Sequence, residues 1–134
     1  MRVSLACAAA AAVAVAAVSL AGCSSSKPAY CTDRTNLQNS VKALTDLNAS
    51  SGISGLKSHV NSIQSDATTL VNSAKSDFPT ETSAITSSVD ALKTSVAGLG
   101  SSPTALQIAT VTKDAASVVS SVKSFTDASN SKCS

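Results

Sequence analysis

Few side chains in this chain could do chemistry. There are four cysteines (Cys7, Cys23, Cys31 and Cys133), one histidine (His59) and eight acids, of which only Glu81 is a glutamate. A serine-histidine-carboxylate site would have to use His59. That residue precedes Val60 on the flank of a helical seam, where a histidine is expected to be structural or solvated. Two-metal bundle sites are built from Glu-x-x-His motifs, which one glutamate and one histidine cannot supply. The chain has no EF-hand spacing, His-x-x-x-His pair or glycine-rich phosphate loop. Asp66, Asp90 and Asp114 fall on three separate segments, and solvated helix faces are their expected setting. Lys57, Lys75, Lys93, Lys113 and Lys123 are spread out rather than gathered into a patch for anionic lipid. A formal net charge of +2 provides no field that would hold nucleic acid. The expectation is a non-enzymatic protein with no catalytic residue, no metal and no cofactor.

The cysteines carry the informative chemistry. Met1 and Arg2 open the chain with one positive side chain, and residues 5–18, LACAAAAAVAVAAV, are an unbroken apolar run. The run is shorter than the roughly 20 residues a membrane-spanning helix needs, and it fits the core of a secretory signal peptide. Leu20-Ala21-Gly22-Cys23 follows. This stretch resembles the lipobox of bacterial lipoproteins, which is leucine, two small residues and a cysteine, and it matches at all four positions. The resemblance covers only the signal region. It implies diacylglyceryl transfer to the Cys23 thiol, cleavage between Gly22 and Cys23, and anchoring of the mature chain to the outer side of a bacterial cell membrane. Small residues before the cut let a peptidase approach the backbone, and a thiol is what a thioether requires. Three serines at 24–26, then Lys27 and Pro28, suit a solvated tether. The expected organisation is a signal peptide over 1–22, a lipidated cysteine and tether over 23–31, and a folded domain over 32–134.

Removing residues 1–22 changes the class of the remainder. The whole chain is 43% hydrophobic with a mean hydropathy of +0.21, which looks like a membrane protein. Residues 23–134, however, contain 38 serines and threonines in 112 positions. That composition alone would suit a disordered or glycosylated stalk. The apolar pattern argues for helices instead. Ile53, Leu56, Val60, Ile63, Ala67, Leu70 and Ala74 recur at steps of three and four. Ile85, Val89, Leu92, Val96 and Leu99 do the same, as do Ile108, Val111, Ala115, Val118, Val122 and Phe125. A shorter set is Leu37, Val41, Leu44 and Leu47. This is the seam of packed helices and the wrong period for strands.

Punctuation sets the expected helix ends. Thr32 or Asp33 can cap a first helix, and Ser50-Ser51-Gly52 separates it from a second. Phe78-Pro79 breaks the chain, because proline disfavours α conformation at the residue before it. Thr80 can cap a third helix, Gly98 and Gly100 can stop it, and Ser102-Pro103 reads as a cap and first helical position. Helices are therefore predicted over 33–49, 53–77, 80–98 and 103–130. Short connections favour antiparallel neighbours. The predicted fold is all-α, an up-down-up-down antiparallel four-helix bundle, with a three-helix arrangement as the alternative.

The remaining cysteines bear on that topology. Cys7 leaves with the signal and Cys23 takes lipid. Cys31 and Cys133 remain, and an exported domain favours their oxidation. In an up-down-up-down bundle the two chain ends lie at one pole, where a Cys31–Cys133 disulfide is natural. Tyr30 and Phe125 are expected to cover it. The tether from Ser24 to Tyr30 is seven residues, at most about 25 Å when extended. The disulfide pole should thus face the membrane, with the loops near residues 50–52 and 98–102 pointing away. The expected function is a lipid-anchored binding or scaffolding module of the cell envelope, with an envelope protein as its partner. The alternatives are a small-molecule or metal carrier, using the bundle interior or a groove beside the short first helix, and a Ser/Thr-rich glycosylated spacer.

Overall fold

A computed structural model of the protein describes residues 27–47 and 51–134. The predicted signal peptide, the predicted Gly22–Cys23 cut and lipidation of Cys23, and the serines of the predicted tether lie outside the described residues, as do residues 48–50. Among the described residues the secondary structure is four helices and no strand: α1 (Ala29–Thr45), α2 (Gly52–Ala74), α3 (Pro79–Ala97) and α4 (Ala105–Cys133). α1 packs on α2 and α4, α2 on α3, and α3 on α4, which makes a bundle with each helix between two neighbours. None of these helices is long and apolar enough to cross a membrane.

The three-and-four periodicity places the core. Leu37, Ile63, Leu70, Ile85, Leu92, Val118 and Phe125 are all fully buried, and Val60, Val89, Val96, Leu99 and Val122 are nearly so. The seam is not uniform. Ile53, Leu56, Leu47 and Ala115 are only partly buried. Ile108, predicted to lie in the α4 seam, is 46% exposed. These looser positions cluster at the end of the bundle where α1 ends and α2 begins.

Several helix ends differ from expectation. α1 starts at Ala29 after Pro28, with no side-chain cap, so Thr32 and Asp33 lie inside the helix. Burial of Tyr30 and Cys31 rewards an extra helical turn that hydroxyl capping could not signal. Ala29, Tyr30 and Cys31 of the predicted tether are therefore helical. α3 starts at Pro79, which needs no N–H partner at the first helical position, and Phe78 rather than Thr80 stands at the cap. α4 is capped by Thr104 rather than Ser102. Thr104 accepts from the Gln107 backbone N–H while the Gln107 side chain accepts from the Thr104 N–H, a reciprocal capping box. At its other end α4 continues to Cys133, past the predicted stop at 130, because Ser129 and Cys133 are buried. Gly52, which opens α2, has φ +61°, a conformation that only glycine adopts without strain.

The many hydroxyls have an observed role. Thr68, Thr69, Thr86, Thr94, Thr110, Thr112, Ser117 and Ser121 each donate to the carbonyl four residues back in their own helix. Their hydrogen bonds stay local, and the helix surfaces carry few charges.

Candidate functional site

α1 and α4 meet at one end and part at the other. At the meeting end Cys31 and Cys133 form a disulfide, with Cα atoms 5.4 Å apart. Beside it lie all three aromatic residues of the chain. Tyr30 from α1, Phe78 from the α2–α3 turn and Phe125 from α4 stack edge to face, with ring centroids 5.2–6.3 Å apart. Such pairs add about 0.5–1.5 kcal/mol each beyond the area they bury. Phe78 joins Tyr30 and Phe125, the two rings foreseen near the disulfide. Burial, then the nearby Asp77 carboxylate, pushes the Tyr30 phenol above its ordinary range. Lys27 donates to the Cys133 carbonyl at 3.1 Å, placing a cation at the negative end of α4.

Hydrogen bonds continue the joint for two turns. Arg34 donates to Ser129 Oγ at 3.2 Å and to the Thr126 carbonyl at 3.4 Å. Gln38 donates to Thr126 Oγ1 at 2.9 Å. Ser129 is fully buried, so its polar partners offset the cost of desolvating it.

Beyond Gln38 the joint opens into an apolar groove. Its first section, about 360 Å³, lies between Val41 and Thr45 of α1 and Val119 and Val122 of α4, with Lys42 and Lys123 on opposite rims. Its second and larger section, about 550 Å³, is lined by Leu44, Leu47, Leu56, Val111, Ala115, Ala116 and Val119. The two sections share Thr45 and Val119. A third, of about 320 Å³, adjoins through Leu47 and Leu56 and reaches Ile53, Leu99 and Ile108. Helix length explains the wider, second section. α1 has 17 residues and α4 has 29, about 26 Å against about 44 Å. The part of α4 N-terminal to Val119 extends where α1 has already ended, and Val119, beside Thr45 at that end, is 41% exposed.

The residues weighed for chemistry are dispersed. Asp66 accepts from Ser40 of α1, and Asp114 accepts from Ser95 of α3. Asp90 is exposed on α3. Asp66 and Asp114 thus serve different helix pairs, and the three aspartates do not converge. His59 is half-buried on α2, and no hydrogen bond joins it to a serine or carboxylate among the described residues. No cluster of three or more His, Cys, Asp or Glu side chains able to hold a metal occurs among the described residues. The groove offers apolar surface and shape. The chain matches no known protein family, no curated protein and no solved structure.

Proposed function

We propose that the protein is a lipid-anchored, non-enzymatic module of the bacterial cell envelope that binds an apolar ligand in the α1–α4 groove. The observation that carries this is the groove itself. Sections of about 550 and 360 Å³ fall within the 300–1,000 Å³ typical of ligand sites, which are mostly apolar with a few polar groups. It favours the carrier reading over a scaffold with a closed interior, and the groove lies beside the short first helix.

The anchor reading rests on Leu20-Ala21-Gly22-Cys23 and the apolar run before it. The helices run up-down-up-down in this reading. Cross-helix partners support that order, since they rise in number on one helix as they fall on the other. Asp33 and Ser40 of α1 meet Ser73 and Asp66 of α2. Cys31, Arg34 and Gln38 of α1 meet Cys133, Ser129 and Thr126 of α4. The anchor at Cys23 and the disulfide then share one pole, and the wide part of the groove faces away from the membrane.

Two measurements test the reading. Intact mass of the full chain recovered from membranes is expected to show a start at Cys23, added diacylglycerol and an oxidised cysteine pair. Cys23→Ala is expected to lose the lipid and the membrane association. A wild-type mass without lipid would reject the anchor. A solvatochromic apolar dye is expected to brighten on binding the full chain, and Ala116→Trp, which fills the groove from an exposed position, is expected to abolish the signal. Dye binding unchanged by that substitution would reject the groove.

A further inference from the structure

The chemistry of the groove narrows its ligand, and this step rests on the binding reading above. The apolar floor runs along a helix. It follows α4 from Lys123 to Val111, about 18 Å at the helical rise. One leaflet of a bilayer's hydrocarbon core is about 15 Å thick, so the floor suits a single acyl chain laid along the helix. The groove carries charged side chains at one end only. There Lys42 of α1 and Lys123 of α4 both line it, and the Gln38–Thr126 hydrogen bond joins the two helices at that end. Each ammonium pairs with an acid one turn along its own helix, Asp46 at 2.6 Å and Asp127 at 2.7 Å. Both lysine side chains are 73% exposed, and exposed pairs of this kind hold weakly. Either ammonium can swing to an anion placed between them. From these features we infer that the groove binds a long-chain fatty carboxylate, with its tail along Val119, Ala115 and Val111 and its head between Lys42 and Lys123. The lysines, separated by 81 positions in the sequence, are brought together only by the α1–α4 joint.

The test uses the full chain in phosphatidylcholine vesicles with photoreactive palmitate, and with the alcohol and the amine of equal chain length. Palmitate is expected to label peptides over 44–56 and 111–119 at least tenfold more than either other probe. Ala116→Trp is expected to reduce that labelling about tenfold. A Lys42→Gln, Lys123→Gln double variant is expected to bring palmitate down to the level of the alcohol. Circular dichroism and the mass of the oxidised pair check that each variant has folded. Equal labelling by the three probes overturns the inference, as does palmitate labelling unaffected by either variant. A second copy of the chain crosslinked through the same residues, without acyl labelling, also overturns it. Apolar dye binding that persists while palmitate shows no preference sinks this inference and leaves the binding reading standing. Loss of both sinks both.

Discussion

At the scale of single residues, the chain concentrates its few specialised side chains at one pole. Tyr30 is 3% exposed and belongs to the only aromatic cluster among the described residues. Its phenol is held above the ordinary value of 10.0, first by burial and then by Asp77, whose nearby carboxylate disfavours a phenolate. The folded state therefore keeps this proton at pH values where the unfolded chain has begun to lose it. Stability falls with rising pH wherever the unfolded state binds fewer protons. Tyr30 thus contributes no pH dependence near neutrality and a decline as pH rises past about 10. Denaturant unfolding of wild type and Tyr30→Phe, compared from neutral to strongly alkaline pH, is expected to show a gap that changes only above that value. Lys42, raised mainly by its hydrogen bond to Asp46, also loses stabilisation as pH rises. It is present in both proteins and cancels in the difference. A constant gap across the range would reject the assignment to Tyr30.

At the scale of elements, periodicity and capping were unequally legible. The three-and-four spacing identified four helices and most of the core because a buried seam must repeat with the helical turn. Helix ends were less legible because tertiary partners decide them. α1 gains its first turn from Tyr30 and Cys31, which the hydroxyl-cap rule cannot see. α4 starts at Thr104 because Gln107 completes a reciprocal box and also donates to the Gly98 carbonyl at 3.2 Å. A threonine followed three residues later by glutamine was the available signal, and the adjacent Ser102-Pro103 pair obscured it. Thr104→Ala is expected to cost about 1 kcal/mol and lower the melting temperature by a few degrees in a thermal scan. Ser102→Ala is expected to leave it unchanged. The reverse order would return the cap to Ser102. The groove was legible only as a possibility beside a short first helix. Its extent depends on how far α1 and α4 differ in length, and hence on the helix ends that sequence places least well. Ala116 could not be read as a lining residue without that offset, and Ile108 continued the seam pattern past the point where α1 could cover it.

At the scale of the whole molecule, the α1–α4 joint must hold at one end and stay open at the other. Four ordered contacts hold it: the Cys31–Cys133 disulfide, the Tyr30–Phe125 stack, and the hydrogen bonds of Arg34 and Gln38. All lie within the first ten residues of α1, and beyond them the groove begins. α1 is also tied to α2 by Asp33–Ser73 and Ser40–Asp66, but the fourth side of the bundle depends on that short stretch. The disulfide closes a loop with a sequence separation of 102, worth about 4–5 kcal/mol on the chain-entropy account. That amount is a large part of the 5–15 kcal/mol by which folded domains exceed their unfolded states. A Cys31→Ser, Cys133→Ser double variant leaves no unpaired thiol in the joint. It is expected to lose about 4 kcal/mol in denaturant unfolding relative to the oxidised protein. Hydrogen exchange is expected to show where the loss falls. Amides of α1 should lose protection first and α2–α3 amides last, because α1 is the helix whose second packing face depends on the staple. An unchanged unfolding midpoint would reject the disulfide as a stabilising element. Uniform loss of protection across all four helices would reject the α1–α4 joint as the weak side of the bundle.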